Sequence, residues 1–346
     1  MCHCEPAAFW RVRQSMLTRS HRLLRRLRAS RNDTHITVTL KNNIAFLKKI
    51  ESRLKSAGVL SPRAEAEALI LHFGRLTRLD FFTGEKEISV SVRRMIQKVL
   101  RVRQTGKPLA YLTNEAPFYG YTFQVTKDTL IPRPETELLV EEATRVLDKF
   151  YSGQNPEILD VGTGSGCIAI SLTLQRPACR MTAFDASLKA LEVARKNVKL
   201  FGLNDKIQLA HSRLFNSFGK NKRAFWDIVV SNPPYVPSED LPKLSREVRS
   251  EPRLALDGGA KGVETIERLL KQAPFYIKKD GWLLMEIGDG QAAILSEKMK
   301  RNRSFKNFRF VKDLNGIDRI MVAQCHCEPA AFGGRGNLRF CHPRNL

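Results

Sequence analysis

No apolar run in this chain approaches the ~20 residues that a membrane-spanning helix needs. Charge interrupts every such stretch, which speaks against an integral membrane protein. Acidic residues are scarce beside basic ones, 35 against 58, and the net charge is +23. Residues 1–40 carry eight arginines against Glu5 and Asp33, and residues 325–346 three against Glu328, so +15 stays with the body between them. A body of that sign suits work close to nucleic acid, such as beside the ribosome, and equally a plain solvated surface. A disulfide framework is also missing. Of the seven cysteines, Cys167 and Cys179 fall in apolar segments, where a thiol is a small filler. Cys2, Cys4, Cys325, Cys327 and Cys341 fall in the tails. This usage fits a reducing compartment. The Cys-x2-Cys spacing of zinc knuckles does not occur, and no metal site is expected.

One sequence repeat is present. Cys2-His3-Cys4-Glu5-Pro6-Ala7-Ala8-Phe9 recurs letter for letter as Cys325-His326-Cys327-Glu328-Pro329-Ala330-Ala331-Phe332. Two copies so far apart make no solenoid period, and both ends read as sequence foreign to the fold. The Arg- and Ser-rich stretch from Arg11 to Arg31 resembles a mitochondrial transit peptide. A mitochondrial matrix therefore stands beside the cytoplasm as the expected compartment. The expected layout is a basic, disordered extension over 1–40, a helical domain over 41–110 and a hairpin linker over 111–134. An α/β domain over 135–324 and a disordered tail over 325–346 complete it.

Apolar spacing predicts helices over 42–57, from Pro62 through Phe73, and over 88–104. A hairpin-like stretch follows from Phe118 to Ile131, then a helix from Pro134 to about Phe150. From Pro156 the pattern alternates, with strands at 157–161, 180–184, 207–211, 226–231 and 282–287 and helices at 165–175, 187–201 and 262–278. Closing strands at 305–311 and 318–323 surround Asn315-Gly316. Such βα units imply a mostly parallel sheet with helices on both faces.

Two motifs carry chemistry. Gly162-Thr163-Gly164-Ser165-Gly166 is a glycine turn between a strand and a helix, where a backbone without Cβ atoms lets a ligand approach closely. Its third glycine comes one residue early for a dinucleotide fingerprint, and the spacing favours S-adenosylmethionine. Asp185, at the end of the next strand, suits the ribose hydroxyls, while Asp160 supports the loop from below through backbone N–H groups. The second motif, Asn232-Pro233-Pro234-Tyr235, also ends a strand. The Asn232 side-chain oxygen and the Pro233 carbonyl can each accept one N–H of a planar NH2 group. The prolines fix φ, and Tyr235 can stack on the target. Glycine loop and amino clamp together read as methyl transfer to nitrogen.

Ile131-Pro132-Arg133-Pro134-Glu135-Thr136-Glu137, the glycine loop, Ser231 through Val236, Ala255-Leu256-Asp257-Gly258-Gly259 and Glu286-Ile287-Gly288 together resemble the HemK/PrmC family of release factor glutamine N5-methyltransferases. The resemblance runs from about 41 to 324. It implies an α/β fold of the class I S-adenosylmethionine-dependent methyltransferases, Rossmann-like with a seven-stranded, mostly parallel sheet and a small N-terminal helical domain that recognises substrate. It implies translation termination as the setting: the substrate is the glutamine of Gly-Gly-Gln in class I peptide-chain release factors. Gly162, Thr163, Gly164, Ser165, Gly166, Asp185, Leu214 and Asn232 are expected at the cofactor. Asn232, Pro233, Pro234 and Tyr235 are expected at the glutamine. Arg213 departs from the family, which often has an acid there beside the adenine. Neither a membrane nor a direct nucleic-acid substrate is expected. The same clamp would nevertheless suit adenine N6, guanine N2 or a ribosomal-protein glutamine.

Overall fold

Helix α1 runs Arg31–Ser56 in the computed structural model, which describes residues 31–216 and 224–326. It starts well before Lys41 and corrects the expected 1–40 extension. The β-branched Thr37, Val38 and Thr39 lower helix propensity and mask the continuation. Packing overrides them: Thr39 is buried, and Gly84 sits so close that a Cβ there would lie 2.6 Å from the Ile36 carbonyl oxygen. The rest of Arg11 to Arg31, and Cys2, Cys4, Cys327 and Cys341, lie outside the described residues.

The chain divides into two units, Met1–Thr105 and Gly106–Leu346. In the first, α1 packs with α2 (Pro62–Gly74), α3 (Arg78–Thr83) and α4 (Val90–Gln104). Pro62 opens α2, Thr77 and Asp80 form a capping box on α3, and the Ser89 hydroxyl caps α4. Leu47, Ile50, Leu54, Leu69, Ile70, Phe81, Ile96 and Leu100 form the core. Among them Arg103, 2% exposed, donates to both oxygens of Glu65 at 2.6 and 2.8 Å. Such forked geometry offsets the desolvation of both charges.

The second unit starts with α5 (Leu109–Thr113) and a hairpin of β1 (Glu115–Phe118) and β2 (Tyr121–Gln124). The ladder falls inside the expected 111–134 linker and overlaps the Phe118–Ile131 stretch, but begins at Glu115, because Tyr119 and Gly120, with φ of +50° and +79°, make the two-residue turn. A 3-10 turn, Pro134–Thr136, leads into α6 (Glu137–Phe150).

Seven strands then build one sheet: β3 (Glu157–Val161), β4 (Arg180–Asp185), β5 (Ile207–His211), β6 (Trp226–Ser231), β9 (Ile277–Glu286), β10 (Phe305–Lys312) and β11 (Asp318–Cys325). Short β7 (Val236–Pro237) and β8 (Asp257–Gly259) pair separately. The sheet order is β10-β11-β9-β6-β3-β4-β5, and β11 alone runs against its neighbours. This is the class I methyltransferase sheet. Alternate residues feed two cores. Ile158, Met181, Ile228, Val230 and Leu284 face α6 and α7 (Cys167–Gln175), while Leu159, Phe184, Val229, Leu283 and Met285 face the helices that follow β8 and β9. The helix Gln291–Arg301 is absent from the sequence expectations. Cys325 corrects the expected tail: it is the last residue of β11, fully buried and paired with Phe305.

Candidate active site

Strands β4, β3 and β6 are neighbours, and the chain leaves their carboxyl ends in three loops around one cavity of about 480 Å³. Gly162, Thr163, Gly164, Ser165, Asp185, Leu214, Asn232, Pro233 and Pro234 line it. A volume of that order suits a small-molecule site, and ligands of such sheets lie beyond the strands' carboxyl ends.

The glycine loop is held from the neighbouring strand. The Phe184 carbonyl accepts the Gly162 and Thr163 N–H groups at 2.8 and 3.0 Å. Gly162 and Gly164 have φ of +76° and +57°, and a Cβ on either would meet nothing within 4 Å, so these glycines leave open space. Gly166 differs. It does not line the cavity; its φ of +83° starts α7, and a Cβ there would lie 3.3 Å from Ile170. Asp160 supports the loop through a side chain rather than the expected backbone N–H groups: the Thr163 hydroxyl donates to it at 2.6 Å. Burial pushes this carboxyl up to about 7.

Asp185 accepts the Gly164 N–H at 2.9 Å and the Ser187 N–H at 2.8 Å. Burial raises its pKa, and these backbone N–H groups oppose the rise. A carboxylate has about four acceptor sites, so two bonds leave capacity for hydroxyls of a ligand. Ser187, not Asp185, caps the following helix by accepting the Ala190 N–H. Leu214 stands at the cavity with φ of +52°, a conformation unusual for a side-chain-bearing residue. The Ser212 hydroxyl donates to the Leu214 carbonyl at 2.8 Å and holds the turn. Arg213 also lines the cavity.

Asn232 Nδ2 donates to the Thr136 hydroxyl oxygen at 3.0 Å, and that hydroxyl donates to Glu286 at 2.6 Å. Tyr235 is placed differently from the expectation that it stacks on the target. It is absent from the cavity lining, its hydroxyl donates to Glu286 at 3.1 Å, and its ring packs against the core behind the site. Gln291 fastens this loop: its Nε2 donates to the Tyr235 carbonyl at 2.9 Å and its Oε1 accepts the Gly288 N–H at 2.8 Å. Gly258 is required because a Cβ would lie 2.8 Å from the Pro234 carbonyl oxygen. Sequence reasoning gave no role to Thr136, Glu286 or Gln291. Thr136 and Glu286 did fall within two of the motif stretches quoted above.

The residues present fit S-adenosylmethionine. The two open glycines leave room beside the loop, and Asp185, which lines the cavity, retains acceptor capacity. Fold and cofactor define a class I S-adenosylmethionine-dependent methyltransferase. The methyltransferase small domain matches residues 136–248 and the PrmC N-terminal domain residues 45–113. The release factor glutamine methyltransferase of Chlorobaculum tepidum is 39% identical over 81% of this chain and 94% of its own length. That of Koribacter versatilis is 37% identical over 78% and 94%. A solved protein-(glutamine-N5) methyltransferase (release factor-specific) from Alicyclobacillus acidocaldarius aligns at 30% identity over 57% of this chain and 95% of its own, with a TM-score of 0.36. The chain belongs to the release factor glutamine methyltransferase family.

Proposed function

We propose that this chain moves the methyl group of S-adenosylmethionine to the side-chain amide nitrogen of the glutamine in the Gly-Gly-Gln motif of class I peptide-chain release factors. One observation carries the reading. A single cavity is bounded by the glycine loop and Asp185 on one side and by Asn232, Pro233 and Pro234 on the other. The cofactor supplies an electrophilic methyl group when bound. Asp185 would accept from its ribose hydroxyls, Leu214 would cover its adenine, and 162–165 would leave room for the rest.

An amide nitrogen is a poor nucleophile because its lone pair is delocalised into the carbonyl. The protein's contribution is therefore placement. Asn232 Oδ1 and the Pro233 carbonyl would take one N–H each and aim the nitrogen at the methyl group. Alignment of that kind can supply ~7–11 kcal/mol. The proton lost from the methylated amide passes to water. The cytoplasm is the compartment this function suits, with the mitochondrial matrix as the alternative; no described helix is long and apolar enough to cross a membrane.

The test is incubation with methyl-labelled S-adenosylmethionine and an intact release factor, with the label mapped by mass spectrometry. Label on the tripeptide glutamine supports the reading. Label on tRNA, duplex DNA or a ribosomal protein instead would replace it.

A further inference from the structure

We infer that Glu286 is a positioning residue for methyl transfer, acting through the Thr136 hydroxyl to decide which end of the Asn232 amide faces the cavity. This inference rests on the function proposed above. Glu286 ends β9, and its side chain is buried, with 1% of the residue exposed. One carboxylate oxygen accepts the Thr136 O–H at 2.6 Å and the other accepts the Tyr235 O–H at 3.1 Å.

The consequence lies in hydrogen-bond polarity. A hydroxyl has one hydrogen. With that hydrogen committed to Glu286, Thr136 can only accept from Asn232, at 3.0 Å. The Asn232 NH2 must then turn toward Thr136, which leaves its oxygen for the cavity. Turned the other way, Asn232 would present N–H groups to the N–H groups of a target amide. The carboxylate thus sets the polarity of the clamp across two hydrogen bonds, over sequence gaps of 150 and 96 residues.

Protonation would undo this. Burial pushes the Glu286 carboxyl up to about 7; hydrogen bonds from Thr136 and Tyr235 oppose that, Glu135 adds to it and Arg319 works against it. A protonated carboxyl can donate to Thr136 and release the hydroxyl hydrogen toward Asn232, which favours the flipped amide. The ionised form is the active one, so turnover should fall as the pH drops through about 7.

The experiment uses the full chain, labelled cofactor and an intact release factor, with kcat and KM measured from pH 5.5 to 9. Thr136→Val keeps the shape and removes the hydroxyl, Thr136→Ser restores it, and Glu286→Gln removes the charge. Thr136→Val is expected to lower kcat by about 10²–10³-fold; both it and Glu286→Gln, whose amide oxygen can still accept from Thr136 but which carries no titrating proton, are expected to lose the acidic limb of the profile. KM and the dissociation constant for S-adenosylhomocysteine should stay within about threefold, and Thr136→Ser should recover most of kcat together with the limb. Wild-type kcat and an unchanged profile in Thr136→Val would overturn the inference, even if Glu286→Gln does not fold. An active wild type with indifferent variants sinks this inference alone. A wild type that labels no glutamine sinks the proposed function, and this inference with it.

Discussion

The Glu251 carboxylate accepts the backbone N–H of Ile131 at 3.0 Å, across 120 residues of chain, and also receives the Arg133 guanidinium. Its side chain is 1% exposed. The contact ties the 131–133 stretch to the loop before β8, and Arg133 and Pro252, from these two segments, both line the cavity.

Glu251→Ala should therefore leave a backbone N–H and a guanidinium without their acceptor. A loss of about 2 kcal/mol is expected, which lowers the melting temperature by roughly 4–8 °C in a unit of this size. Glu251→Gln keeps one acceptor and should lose about half as much. A scan of the three proteins checks it; equal melting temperatures would mean that the contact is not structural.

Asn232 and Asp185 should separate chemistry from binding. Asn232→Ala removes one acceptor of the clamp, so turnover should fall by about 10²–10³-fold while cofactor affinity is largely kept. Asp185→Ala should instead weaken S-adenosylhomocysteine binding by about 10–100-fold, the loss of a charged acceptor worth ~1.5–3 kcal/mol. Calorimetry and single-turnover assays on both variants give the comparison. Asp185 also holds the Gly164 amide, so Asp185→Asn should lie between Asp185→Ala and the wild type.

Asp160 makes stability depend on pH. Folded, it keeps its proton to about 7; unfolded, it loses it near the ordinary value of 3.8. Between those values the native state binds more protons, so stability falls as pH rises and levels off above about 7. Asp160→Asn can still accept from Thr163 and should remove the Asp160 share of that slope, leaving the share of Glu286, whose carboxyl is also pushed up to about 7. Melting temperatures from pH 5 to 8.5 measure it. A wild type that gains stability over this range would contradict the assignment.

The end of the fold can be placed to one residue or two. A chain limited to 31–326 contains every element described and should melt as the full chain does. A chain ending at Gln324 lacks Cys325, which is buried, and His326, whose N–H donates to the Ser304 carbonyl. It should melt roughly 2–4 °C lower for each kcal/mol lost. Identical melting would return Cys325 to the tail.

Removing residues 1–105 should spare cofactor binding and abolish methylation of an intact release factor. A tripeptide offers little area, whereas stable protein recognition usually buries ~1,200–2,000 Å². Short peptide and intact factor, each assayed with the full chain and with a folded truncation, give the answer. Undiminished factor methylation by the truncation would exclude a docking role for the helices.

The strands and the two motifs were legible in the sequence because each is local: an apolar run, a glycine turn, a proline pair. The cavity followed from them, since β3, β4 and β6 carry the motifs at their ends. What stayed hidden is polar and distant. Thr136, Glu251, Glu286 and Gln291 work through partners 29 to 150 residues away, apart from the local Gln291 contact at Gly288, and no spacing rule connects them. The start of α1 was hidden because its β-branched residues are helical only through packing. Tyr235 was misplaced because an aromatic beside a clamp suggests stacking, whereas its hydroxyl has a buried acceptor at Glu286.

β11, the last of the described strands in chain order, is not an edge strand; it lies between β9 and β10. During synthesis β10 therefore emerges before the strand that will join it to the sheet. A chain halted before Asp318 would show the bare flank of β9, whose Leu283, Leu284 and Met285 are buried in the finished protein. Unpaired strand flanks of that kind recruit other chains. Premature stops shortly before Asp318 should accordingly yield aggregates rather than a weakened enzyme, whereas stops after His326 leave every described strand in place.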